Sequence, residues 1–186
     1  PEENCSRQID LLLEKKYLLG SGEAIYLPYF YNAEQAVAEN LLRLIKTSRD
    51  RMGLFVTANW DQAAEWLQQS DKIRLTIEQM SAIQMAVSNK VSILTGGPGT
   101  GKSTITGNLI RLLLSFGLSV LLTAPTGRDA QRLSAAPGLE AATIHRLFEY
   151  TPTIHGFKRN GTHPFNTDLI LVHEASMLDI LLMHAL

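Results

Sequence analysis

Two short stretches carry residue types at spacings that suit phosphate chemistry. The first is GGPGTGKST, residues 96–104, which fits Gly, four residues, then Gly-Lys-Ser over 96–103. Glycines in such a loop let successive backbone N–H groups turn inward and make a nest for phosphate oxygens. The helix expected to follow points its positive end at the same place. Lys102 is expected to reach the β- and γ-phosphates and Ser103 to bind Mg²⁺ through its hydroxyl. Gly96, Gly97, Pro98, Gly99, Thr100, Gly101, Lys102, Ser103 and Thr104 thus form the expected triphosphate site. The second stretch is LILVHEASMLD, residues 169–179, where an apolar run ends in His173 and Glu174. In a nucleotide-hydrolysing site that position normally carries an Asp beside the Glu, so Glu174 is a candidate for the chemistry and His173 raises a question.

These stretches need elements to hold them. VSILT before the loop is expected to be a strand, and residues 102–116 a helix with Ile105, Leu109, Leu112 and Leu113 inward and Gly117 at its end. LSVLLTA and DLILV read as buried strands, and residues 128–134 as a short helix. LTIEQMSAIQMAVSN, with a Thr76 cap and apolar residues at 77, 80, 83 and 87, reads as the helix preceding the loop. Alternating strands and helices imply an α/β fold, a parallel sheet with helices on both faces. Residues 75–186 are expected to form this ATP-binding domain, and residues 1–74 a mostly helical region before it.

In that first region Ile9, Leu12, Leu13 and Leu18 have near-helical spacing, and LLGSGEAIYLP reads as strand, Gly-Ser-Gly turn, strand. A helix followed by a hairpin is either the tail of a winged-helix unit or the end of a helical hairpin with no DNA role. NAEQAVAENLLRLI reads as a helix capped by Asn32, with Val37, Leu41, Leu44 and Ile45 as its core stripe. TSRDRMG reads as a polar linker, and NWDQAAEWLQQ as a short helix in which Trp60 and Trp66 pack.

The chain has 186 residues, 45% hydrophobic and 19% charged, with 17 Lys and Arg against 18 Asp and Glu. The net charge of −1 excludes a global nucleic-acid field, so DNA contacts must be local. A single cysteine, Cys5, excludes an internal disulfide framework and suits a reducing compartment. The polar start PEENCSRQ is no leader sequence, and no apolar run approaches the roughly 20 residues that span a bilayer. A cytoplasmic protein without membrane contact is expected. The Pro1 start and the HAL end inside a helical pattern lead us to expect a piece of a longer protein.

LTIEQMSAI, TGGPGTGKST, APTGRDAQRL, ATIHRLF and LILVHEASMLD occur in this order. Together they resemble the first motor motifs of RecD-like superfamily-1 DNA helicases, the family of the exodeoxyribonuclease V alpha subunit. The resemblance covers roughly residues 75–180 and implies a partial RecA-like motor domain ending soon after its Glu174 motif. It implies ATP and Mg²⁺ as cofactors and single-stranded DNA as a partner, with movement 5′ to 3′. Other subunits of a helicase–nuclease complex are further implied partners. Gln79 offers the amide donor and acceptor that read an adenine edge. Pro125, Thr126 and Arg128 follow a strand's carboxyl end, where ligands of open α/β sheets gather, and the resemblance gives them strand phosphates to hold. It makes Thr143 and His145 further DNA contacts. Residues 128–159 hold five Lys or Arg against three Asp or Glu, a mild basic bias.

At 173 the family pattern has Asp, and this chain has His. Mg²⁺ prefers oxygen ligands, whereas neutral imidazole offers one nitrogen lone pair and imidazolium repels a cation. Asp168 lies five residues back, roughly 16 Å along a strand, and Asp179 is expected well into the following helix, so neither is placed to substitute. Hydrolysis is therefore expected to be impaired while nucleotide still binds. The rival reading is a degenerate, non-hydrolysing nucleotide-binding module. A small P-loop kinase is a weaker rival, since no Arg-rich lid segment is visible.

Overall fold

Helix α5 (Lys102–Ser115) buries the stripe Ile105, Leu109, Leu112 and Leu113, and Ile110 with it, at the centre of the hydrophobic core. The structure is a computed structural model that describes residues 2–47, 51–55, 57–71, 74–134, 139–154 and 156–186. Burying a side chain of this size contributes about 1.5–3 kcal/mol, so the stripe dominates local stability. Gly117, at φ 68°, ends the helix in the left-handed region. Its N–H donates to the Leu114 carbonyl and the Leu118 N–H to the Leu113 carbonyl, the paired bonds of a Schellman stop.

Ile83 and Val87 from α4 (Ile77–Ser88) and Val120 and Leu122 from β3 (Val120–Ala124) pack into the same core. So do Met52 and Phe55 from a 3-10 turn (Arg51–Phe55) and Leu67 from the helix Trp60–Asp71, here α3. The core thus runs across the expected division at 74/75. The expected polar linker 47–53 becomes structural from Arg51 onward, because Met52 is buried and Arg51 is paired; residues 48–50 lie outside the described ones. Asn59 caps α3 by accepting from the Asp61 and Gln62 N–H groups, and Trp60 stacks on Phe55 at 6.2 Å. Trp66 stays 39% exposed.

The sheet has three parallel strands in the order β4 (Ala141–Thr143), β3, β7 (Leu169–Val172). Ala124 stands opposite Thr143 and Thr123 opposite Val172, so the carboxyl ends of all three strands share one edge. Both faces of β3 are covered, which is why VLLTA is apolar throughout rather than alternating. Helix α6 (Gly127–Leu133) follows β3, α7 (Ile144–Leu147) follows β4, and α8 (Ile180–Ala185) lies beyond β7. Helices α5, α6 and α7 pack on the sheet and α4 packs on α5, giving the mixed α/β frame of a partial RecA-like domain.

The expected strand 91–95 does not form. It joins no ladder, and Ile93 is 81% exposed. A strand exists only through a neighbour's hydrogen bonds; β3 is already flanked by β4 and β7, and 91–95 is part of none of the described sheets. Ile77 likewise points out of α4, 84% exposed.

In the amino-terminal region, α1 (Glu2–Glu14) leads into a hairpin of β1 (Leu19–Ser21) and β2 (Ala24–Tyr26). Gly20 and Ser21 pair within the ladder, so the turn is Gly22-Glu23, one step later than Gly-Ser-Gly, with Gly22 at φ 59°. Helix α2 (Pro28–Lys46) starts at Pro28, not at Asn32. Proline at the first helical position has its φ preset and no N–H to satisfy, which moves the start forward. Ala33 is buried and Val37 and Leu41 partly so, but Leu44 and Ile45 are 45% and 58% exposed, so the expected core stripe stops halfway. Helix α2 packs against α8. No described helix is long and apolar enough to cross a membrane.

Candidate nucleotide and nucleic-acid site

The loop is shaped by glycine. Gly99 and Gly101 sit at φ 76° and 85°, where a side chain is strained. Gly101 is the N-cap of α5 and makes no side-chain cap bond. The first N–H groups of this helix therefore face the loop rather than a capping side chain, which is the arrangement that favours an anion. The Lys102 ammonium donates to the Gly96 and Gly97 carbonyls at 2.6 and 2.7 Å, and the Thr100 hydroxyl donates to the Gly97 carbonyl at 2.9 Å. The lysine thus ties the two ends of the loop together. Ser103 is exposed, while Lys102 and Thr104 are half-buried. Pro98 lies in the turn at the loop's tip.

Gln79 stands beside this loop. Thr76 and Gln79 form a capping box at the start of α4: the Gln79 N–H donates to the Thr76 hydroxyl at 3.2 Å, and the Thr76 N–H to Gln79 Oε1 at 3.1 Å. Gln79 Nε2 donates to the Thr100 carbonyl at 3.5 Å. The amide expected to read an adenine edge is thus engaged with the helix start and the loop. The signal was legible, since Thr-x-x-Gln is a capping-box spacing.

At the carboxyl edge, the His173 N–H donates to the Thr123 carbonyl at 2.8 Å and carries the ladder one residue past β7. Glu174 then turns into the left-handed region at φ 54° and starts a 3-10 turn (Ala175–Met177). His173 Nε2 lies 3.8 Å from Glu174 Oε1, an ion pair only when the imidazole is protonated. The Glu174 side chain is 45% exposed. Asp179 caps α8, accepting from the Leu181 and Leu182 N–H groups at 3.0 and 2.8 Å. At the opposite end of β7, Asp168 accepts from the Ser119 N–H at 2.7 Å, the Ser119 hydroxyl at 2.8 Å and Arg51 at 3.0 Å. The Ser119 backbone bond first, then its hydroxyl and the Arg51 charge, hold the Asp168 carboxyl below its ordinary range against the opposing effect of burial. No group of three or more His, Cys, Asp and Glu among the described residues could hold a metal ion. Ser103 has the oxygen donor that Mg²⁺ takes, and His173 does not.

The same edge carries the other expected residues. Pro125 leads from β3 to Thr126, which caps α6. The Thr126 hydroxyl donates to Asp129 Oδ2, and the Asp129 N–H donates back at 3.2 Å. Asp129 is 8% exposed and lies 3.9 Å from Arg132. It did not figure among the expected site residues, although Thr-x-x-Asp is itself a capping spacing. Arg128 is exposed. Thr143 caps α7 by accepting from the Arg146 N–H at 3.2 Å. The exposed His145 ring meets Tyr150 edge-on at 5.4 Å and lies 5.8 Å from Phe157, residues of the small antiparallel pair β5 (Tyr150–Thr151) and β6 (Gly156–Phe157). Parallel register brings Thr126, Arg128, Thr143, His145 and Glu174 to one edge, but both threonine hydroxyls are already engaged in caps.

Residues 79–186, more than half the chain, match the protein family described as AAA domain. A 165-residue stretch is 39% identical to the ATP-dependent RecD2 DNA helicase of Deinococcus radiodurans, covering 87% of this chain and 21% of that protein. The RecBCD enzyme subunit RecD of Mycolicibacterium smegmatis is 29% identical over 87% of this chain and 31% of its own length. The ATP-dependent DNA helicase dda of Enterobacteria phage T4 is 38% identical over 63 residues, 33% of this chain and 14% of that helicase. The chain therefore spans between about a seventh and a third of the length of these relatives.

Proposed function

Because the chain belongs to the AAA-domain family and is a RecD-like helicase segment, we propose that it is the nucleotide-binding part of an ATP-dependent DNA helicase. The observation that carries this reading is the 96–104 loop: two left-handed glycines, an uncapped helix start and Lys102 at its base. A triphosphate would take over the Lys102 ammonium from the Gly96 and Gly97 carbonyls and accept from the first N–H groups of α5. Charge-assisted bonds to phosphate are the strong ones, so binding rests on phosphates more than on base. Ser103 would offer its hydroxyl to Mg²⁺, the ion that lowers the charge of the bound phosphates. Glu174 would orient and polarise the attacking water. Arg128 and the N-terminus of α6 would hold phosphates of single-stranded DNA, with Pro125 shaping the turn and Thr143 and His145 extending the track. Travel from 5′ to 3′, a place among the subunits of a helicase–nuclease complex and a cytoplasmic setting belong to the same reading.

His173 favours a second reading for the present sequence, a nucleotide-binding module that hydrolyses poorly. The oxygen ligand expected at 173 is absent, and Asp168 and Asp179 are engaged elsewhere. The two readings separate in a full-length protein carrying this segment. DNA-stimulated ATP turnover should rise at least tenfold in His173→Asp, a barrier change of about 1.4 kcal/mol or more. Adding Glu174→Gln should abolish it while ATP still binds. Equal turnover with His or Asp at 173 would end the second reading.

A further inference from the structure

We propose that Gln79 is a positioning residue for the phosphate nest: it sets the direction of a loop N–H through the helix start of α4, whatever base the nucleotide carries. The inference rests on the nucleotide-site reading above and goes beyond base recognition. Three observations place the amide. Its oxygen accepts from the Thr76 N–H at 3.1 Å, so the cap of α4 fixes the side chain. Its nitrogen donates to the Thr100 carbonyl at 3.5 Å. The amide also covers the Cα of Gly101, where an added methyl would collide with Nε2. The φ of 85° is what calls for glycine at 101, and the glutamine amide lies against it.

The consequence follows from peptide geometry. In a planar trans peptide the carbonyl of one residue and the N–H of the next point in opposite directions. Holding the Thr100 carbonyl toward Gln79 turns the Gly101 N–H away from Gln79, to the side of the loop open to a ligand. Gly101 precedes Lys102 directly and caps α5, so the orientation of this one peptide links the loop to the helix start. Without Gln79 the Thr100–Gly101 peptide keeps the Thr100 hydroxyl bond to Gly97 on one side and the freedom of a glycine on the other, and ordering it on phosphate binding costs free energy.

An adenine reader and a nest brace differ on a ligand with no base. Inorganic tripolyphosphate, ATP and GTP would be titrated against the chain, Gln79→Ala and Gln79→Glu, with unfolding curves for each. We expect Gln79→Ala to weaken all three ligands by one common factor of about three to ten, the range that a hydrogen bond supports. Gln79→Glu keeps an acceptor for the Thr76 N–H and loses the donor to Thr100. It should lose the same factor with α4 intact, and the loss should persist in high salt, where repulsion by the new charge is screened. Weakened ATP with unchanged tripolyphosphate overturns the proposal in favour of base reading. Full tripolyphosphate affinity in high salt for Gln79→Glu overturns it as well. Lys102→Ala tests the underlying site: if it binds all three ligands like the parent chain, the nucleotide-site reading fails, whereas loss there with tripolyphosphate untouched in both Gln79 variants sinks the brace alone.

Discussion

The two ends of β7 carry acids in opposite situations. At the amino end, Asp168 is tied down through Oδ2: Ser119 gives it a backbone and a hydroxyl bond, and Arg51 adds a charged one. Arg51 also donates to the Gly117 carbonyl at 3.2 Å, so this cluster ties the 51–55 turn to the end of α5 and the start of β3. At the carboxyl end, Glu174 is nearly half exposed, with the His173 imidazole, charged only when protonated, 3.8 Å away. The first acid holds parts of the fold together; the second presents a carboxylate to solvent. A histidine at 173 therefore leaves the strand end without a substitute. A carboxylate engaged three times over at the far end of the strand cannot take a metal ligand's place, and Asp179 is held in a helix cap.

Substitutions should separate the two ends cleanly. The largest effect is expected at neither end but at the 96–104 loop: Lys102→Ala should weaken ATP binding about a hundredfold, the loss of about two charge-assisted bonds, with the melting temperature nearly unchanged. Isothermal titration and a thermal melt measure both. Next comes Asp168→Ala, which should lower unfolding free energy by about 1–3 kcal/mol, since it leaves the Ser119 donors unmatched, while ATP affinity stays within twofold. A denaturant titration that finds no destabilisation would break the contrast at the amino end.

The acid side sharpens it further. The folded Asp168 carboxyl titrates below its unfolded value. Its contribution is therefore fully present above the unfolded value of about 3.9 and is lost as pH falls from there through the folded value. Stability measured from neutral pH to below pH 4 should show this acid loss in the parent chain and a shallower one in Asp168→Ala. The smallest effect is expected for Arg128→Ala, about a two- to threefold weakening of single-stranded DNA binding at low salt, with a salt slope shallower by roughly one phosphate contact. Binding that is insensitive both to salt and to Arg128 would remove this residue from the track.

What was legible in the sequence follows the range of the forces involved. The Thr76 cap, the Gly117 stop and the loop glycines are set within a few residues, and each is found where its spacing places it. The parallel strands β3 and β7 were legible because their apolar runs match burial on both faces or beside a neighbour. VSILT has the same composition, yet strand formation depends on a partner that composition does not reveal. Strand β4 was missed for the converse reason: Ala-Ala-Thr carries no β signal, and it pairs because β3 lies alongside. Leu44 and Ile45 continue a helical stripe past the point where anything described packs on it. At the site, residue types were readable but their existing bonds were not. Thr126, Thr143 and Gln79 turn out to be caps as well as candidate contacts.

In the proposed reading the chain holds a nucleotide by its phosphates while His173 leaves the strand end without a metal ligand. ATP affinity measured with and without Mg²⁺, in the parent chain and in His173→Asp, tests it most directly. A small Mg²⁺ effect is expected in the parent chain and a clearly larger one, at least fivefold or about 1 kcal/mol, in His173→Asp, with the melting temperature of the two nearly equal. A parent chain whose ATP affinity already rises as steeply with Mg²⁺ as that of His173→Asp would contradict it.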